Sequence, residues 1–139
     1  MRWRCLRDDQ LARMNRFLKT RAQAFRYAFA GWWFVIRTQR NAWIHAVVSV
    51  IVVVVGFWLR LPPRDWAVIA ISITMVWMAE FLNTALEAVV DLASPQRHFL
   101  ARVGKDVGAA AVLIAAISAV VVGFLIMGPP LLERLRSWF

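Results

Sequence analysis

Charge is scarce in this sequence. Of its 139 residues, 18% are Asp, Glu, Lys or Arg, against 61% that are hydrophobic. A soluble domain carries about a quarter charged residues, so a water-facing globular fold is excluded and a membrane protein is indicated. Acidic residues are the scarcer sign, 8 against 17 basic. The single cysteine, Cys5, excludes an intrachain disulfide. The basic N-terminus has no apolar core and no small-residue cleavage site before Ala42, so no cleaved signal peptide is expected, and the first apolar stretch serves as its own targeting signal. Nucleotide-binding signatures of soluble enzymes are missing too. Gly104-Lys105 has Phe99 where the first glycine of a phosphate-binding loop would stand, and there is no HRD or DFG motif. No internal repeat or low-complexity tract is present.

What is there is apolar and long. Residues 42–59, 66–90 and 107–127 each approach or exceed the roughly 20 apolar residues that a bilayer crossing takes, and the last stretch has no charge at all. They predict an all-α integral membrane fold with three transmembrane helices. Before them, residues 11–37 predict an N-terminal amphipathic interfacial helix. Leu11, Met14, Leu18, Ala22, Phe25, Phe29, Trp32 and Ile36 recur at spacings of three or four, with Arg13, Arg16, Lys19 and Arg26 off that line. The same pattern would serve a soluble helix packed on a partner, but the Trp32-Trp33-Phe34 cluster and the adjoining spans favour the membrane surface. Pro62 and Pro63 mark a turn over residues 61–65, Ser94-Pro95 starts a second loop, and Gly128, Pro129 and Pro130 are expected to end the third span. Residues 1–139 are thus expected to form one membrane domain.

The net charge of +9 is distributed by topology. Ten Lys or Arg precede the first span and three more lie in the second loop, so one side of the membrane takes thirteen of the seventeen. The positive-inside rule places that side of a plasma membrane protein, and the N-terminus, in the cytoplasm. Anionic headgroups then account for the basic excess without nucleic acid.

The second stretch carries polar groups where lipid should be. Glu80, Asn83, Glu87 and Asp91 are spaced 3, 4 and 4 apart, and at about 100° per residue all four share one stripe of a helix. With that span running inward, Glu87 and Asp91 come near its cytoplasmic end and Glu80 lies deeper, about 16 Å from Asp91. His98, Lys105 and Asp106 follow on the same rim. Carboxylates with a lysine beside a helix N-terminus suit Mg²⁺ and a phosphate. A desolvated Glu80 suits a general base acting on a lipid hydroxyl. Polar groups in spans also serve as interhelical glue, which would account for Asn83 alone, but two glutamates each need a partner or a proton. Lys105-Asp106 alone reads equally well as an interfacial ion pair. On the first span, Asn41 and His45 are one turn apart and can share a face.

The run Glu80, Asn83, Glu87 and Asp91, followed by His98 and Lys105-Asp106, resembles the bacterial diacylglycerol kinase / undecaprenol kinase family. The likeness covers residues 25–127, including Tyr27, Gly31 and Arg40-Asn41 with His45. It implies a small integral-membrane lipid kinase, a homotrimer with active sites shared between neighbouring subunits, that transfers the γ-phosphate of ATP, with Mg²⁺, to a lipid alcohol. Carried over by position, the resemblance makes Glu80 the catalytic base and Asn83 a polar contact of the same site. Glu87 becomes a metal-binding carboxylate beside the nucleotide, and Tyr27, Gln96, Arg97, His98, Lys105 and Asp106 fall where the family contacts nucleotide. Gln39 stands where the family usually has a second metal-binding glutamate; its amide oxygen can ligate Mg²⁺ without charge, with Asp91 or water to compensate. The family's N-terminal arginine has no secure counterpart, Thr20 lying near its position between Lys19 and Arg21. The Arg40-Asn41…His45 segment is closer to the undecaprenol kinase branch, although a greasy pocket is expected for either lipid. Two rival functions use the same residues: a proton or cation transporter, and a non-catalytic membrane scaffold, which Gln39 would suit.

Overall fold

The computed structural model describes residues 2–94, 96 and 98–137, with side chains from Lys19 onward. Four helices account for nearly all of them, with no strand among the described residues. Two compact units are present, one ending at Thr38 and one beginning at Gln39.

The first unit is the helix α1 (Arg2–Thr38). It starts well before residue 11, where the apolar period becomes readable. No proline interrupts it, and its first turns hold Arg, Leu and Gln, which favour helix even without an apolar face. Phe25, Phe29 and Trp32 are exposed along it, and the Arg37 guanidinium sits 4.6 Å from the centroid of the Trp33 ring. The side chains of Leu11, Met14 and Leu18 lie outside the described residues.

The second unit contains α2 (Arg40–Leu59), α3 (Pro63–Ala93) and α4 (Phe99–Arg136), each long and apolar enough to cross a membrane. The expected spans 42–59, 66–90 and 107–127 all fall inside these helices. α3 packs most extensively against α4, and α2 touches both. At about 1.5 Å per residue α4 is close to twice the roughly 30 Å of a hydrocarbon core, so part of it must project beyond the lipid.

The α2–α3 connection is tighter than residues 61–65 suggested. Arg60 takes the left-handed conformation (φ 55°, ψ 48°) that closes α2. Leu61 N–H then donates to the Gly56 carbonyl at 3.2 Å. Pro63 opens α3, where its missing N–H costs nothing. Gly56 has a steric role here, since a Cβ there would lie 2.9 Å from the Trp66 ring. Behind this corner Leu59, Leu61 and Ile69 form a small core against Val55, Trp66, Ile126 and Leu131.

One expected boundary is overturned. Gly128, Pro129 and Pro130 do not end the third span helix, which continues to Arg136. Each proline forfeits one backbone hydrogen bond within the helix. Continuing the helix brings Leu131 into the core at the α2–α3 corner and sets Arg134 over Trp58 at 5.1 Å. The beginning of α4 also precedes the expected span, because His98 caps it: its Nδ1 accepts from Leu100 N–H at 3.2 Å.

Candidate active site

α3 holds the polar stripe in two tiers. In the deeper tier, Glu80 is 1% exposed, Asn83 and Thr84 are also buried, and Glu87 is half-buried. Thr84 donates its hydroxyl back to the Glu80 carbonyl at 2.9 Å, which keeps that hydroxyl off the carboxylate. Asn83 Nδ2 donates to Glu87 Oε1 at 3.0 Å. A carboxylate only accepts, so this bond fixes the amide orientation and turns Asn83 Oδ1 the other way. That oxygen is buried without a partner among the described residues. It faces α4 at Gly108, where a Cβ would run into it. Gln39, in the break between α1 and α2, brings its Nε2 within 3.5 Å of Glu87 Oε2.

Opposite Glu80 stands His45 of α2. Its Nε2 lies 3.7 Å from Glu80 Oε2, and both atoms are buried with no hydrogen-bond partner among the described residues. The imidazole meets the Trp77 ring edge-on, with centroids 6.4 Å apart. Trp77 Nε1–H donates to Ser49 Oγ at 3.3 Å, and Ser49 donates to the His45 carbonyl at 2.6 Å. His45 also lines an apolar cavity of about 470 Å³ between α2, α3 and α4 that runs past Ile69 and Val76 to Leu131.

The second tier is the exposed rim where α3 ends and α4 begins. Lys105 forms an ion pair with Asp91, and Arg102 lies 3.6 Å from Asp106. Gln96, His98, Lys105, Asp106 and Asp91 line one pocket of about 590 Å³, together with Val90 and Phe99.

The structure thus brings Glu80, Asn83, Glu87 and Gln39 together in the deep tier, and Asp91, Gln96, His98, Lys105 and Asp106 on the rim. Asp91 faces Lys105, and its expected role as a substitute for charge at Gln39 gains no support from that pairing. Arg97 lies outside the described residues. Tyr27 is exposed on α1, in the other unit. No cluster of three or more His, Cys, Asp or Glu suited to a metal occurs among the described residues. Two residues beside the deep tier were not assigned to a site from sequence. His45 carried a signal, an imidazole inside an apolar span one turn from Asn41. Gly108 carried none beyond its place in a small-residue helix, because its role is steric and depends on which residue faces it.

Residues 26–127 match the prokaryotic diacylglycerol kinase family. A diacylglycerol kinase of Synechocystis sp. is 47% identical over 111 residues, covering 79% of this chain and 63% of that protein, so the chain spans less than two thirds of that relative. The undecaprenol kinase of Bacillus subtilis is 37% identical over 123 residues, 88% of this chain and 97% of that protein. A diacylglycerol kinase of Escherichia coli K12 is 38% identical over 89 residues, 59% of this chain and 73% of that protein. A three-span helical chain with this match over most of its length belongs to the prokaryotic diacylglycerol kinase family of lipid phosphotransferases.

Proposed function

We propose that this membrane lipid phosphotransferase moves the γ-phosphate of ATP, with Mg²⁺, onto the hydroxyl of a membrane lipid alcohol, diacylglycerol or undecaprenol, at the cytoplasmic face. The observation that carries the proposal is the two-tier stripe on α3. A buried carboxylate with an unpartnered oxygen, Glu80, lies within a helix long and apolar enough to cross a membrane, and a half-buried carboxylate, Glu87, lies two turns closer to a charged rim. That order supports a reading in which Glu80 is the base for a lipid hydroxyl and the rim receives the phosphates of a soluble nucleotide.

In this reading Glu80 accepts the proton of the lipid hydroxyl. The lipid oxygen forms a bond to the γ-phosphorus as the bond from that phosphorus to the ADP oxygen breaks. Phosphoryl transfer asks the protein chiefly for position and charge neutralisation. Lys105 supplies an ammonium for the phosphates. The first N–H groups of α4, where His98 caps, add a positive helix end. Gln96, Arg97, Asp106 and Tyr27 are assigned to the nucleotide, Asn83 holds Glu87, and Asp91 holds Lys105.

Magnesium suits the donor set. Glu87 is a hard oxygen donor whose bonding neighbours are neutral amides, which leave its charge for a cation, and Gln39, which gives its Nε2 to Glu87, would offer its carbonyl oxygen once that amide turned. Mg²⁺ there would neutralise phosphate charge. Glu87 and Gln39 would hold it, with the substrate phosphates and water completing the shell. The whole chain then acts as one lipid-kinase domain, and the apolar side chains exposed along α2, α3 and α4 face lipid or sister subunits of a homotrimer.

The test is transfer of radiolabelled γ-phosphate from ATP by the purified protein, offered undecaprenol and diacylglycerol side by side across a Mg²⁺ series. Labelled lipid phosphate is expected with at least one acceptor and only with the metal. No labelled lipid at any Mg²⁺ concentration would favour the scaffold, and pH-driven flux in liposomes without ATP use would favour the transporter.

A further inference from the structure

Resting on the lipid-kinase reading, we propose that His45 is a positioning residue for the base: its Nε2–H holds the Glu80 carboxylate in the orientation that receives the lipid hydroxyl.

The geometry singles out this pair. Nε2 and Oε2 are 3.7 Å apart, a few tenths of an ångström beyond hydrogen-bond length, and neither has another partner among the described residues. Two buried polar atoms that face each other, one able to donate and one able only to accept, satisfy each other at less cost than either satisfies alone. Thr84, the other nearby hydroxyl, is committed to the Glu80 carbonyl. Nothing else described competes for Oε2.

His45 is itself held on two sides. The Trp77 ring edge abuts the imidazole, and the chain from Trp77 Nε1 through Ser49 Oγ to the His45 carbonyl ties its backbone to α3. Such double support is what a group needs if it is to orient another within a fraction of an ångström. The imidazole also stands at a boundary. It lines the apolar cavity between the three helices, whereas Glu80 does not.

Two amide variants of the full-length enzyme test this. His45→Gln keeps an N–H donor at the reach of Nε2, and His45→Asn keeps polarity but falls short of it. Both are assayed for γ-phosphate transfer at saturating lipid, with KM for ATP measured in parallel. His45→Gln should stay within about threefold of the wild-type kcat, and His45→Asn should lose about tenfold or more, the effect of one lost bond to a charged group, with KM for ATP unchanged in both. Equal rates in the two variants, or a loss in both accompanied by a raised KM for ATP, would overturn the proposal and leave His45 a packing residue. The wild-type arm separates the two readings: a wild type that labels no lipid alcohol removes the kinase reading itself, whereas an active wild type with equally active variants removes only the role of His45.

Discussion

The two tiers of the α3 stripe are built from similar residues and live under different physics. In the deep tier, Glu80 and Asn83 are buried, and His45, Glu80 and Asn83 each present a buried polar atom with no partner among the described residues. On the rim, Asp91 pairs with Lys105 and Asp106 with Arg102, all at least a third exposed. Water screens the rim pairs and makes each worth little. Burial makes every unpaired atom of the deep tier costly. In the lipid-kinase reading the contrast would separate a residue that reacts from residues that receive a charged, soluble ligand.

The largest effect should come from the deepest residue. Glu80→Gln removes the proposed general base while keeping shape, and the lipid phosphorylation rate should fall by about 10²- to 10⁴-fold with ATP binding retained. Near wild-type turnover in that variant would erase the distinction between the tiers. Gly108→Ala comes next. Its Cβ would displace the Asn83 amide and break the donation to Glu87. Overpacking of this kind costs about 1–3 kcal/mol, and because the displaced group belongs to the site, kcat should fall by more than the loss in thermal stability alone explains. An unchanged kcat in the Gly108→Ala enzyme would show that the Asn83–Glu87 bond is dispensable.

Gln39→Glu tests the intermediate ground. A second carboxylate beside Glu87 should lower the Mg²⁺ concentration for half-maximal rate, by a few-fold, about the scale of 1 kcal/mol. The Mg²⁺ dependence of the initial rate reads this directly, and a shift to higher Mg²⁺ would place the metal away from residue 39. The smallest effect belongs to the rim. Arg102→Ala breaks an exposed pair four residues apart on one helix and should change unfolding stability by about 0.5 kcal/mol or less, less still at high salt. A larger destabilisation would mean that the rim contributes to the fold as the deep tier does.

Much of this was legible before any coordinates. Apolar length located three spans inside the observed helices, and a spacing of 3, 4 and 4 located the stripe, because both follow from the fixed period of a helix. Helix ends were less legible. Pro129 and Pro130 read as a stop, yet the helix runs on because Leu131 and Arg134 find partners on other elements, and no local pattern records such partners. The opening of α4 at Phe99 depended on a cap by His98 that the sequence permits without requiring.

The sequence by itself determined the membrane character, the helical class and the order of carboxylates along α3, since composition and periodicity act locally. Only the tertiary structure decided which of those carboxylates are alone and which are paired. Burial, the approach of His45 on α2 to Glu80, and the close pass of Gly108 on α4 over Asn83 are properties of three helices meeting. They divide the four residues of one stripe between a buried tier and a solvated rim.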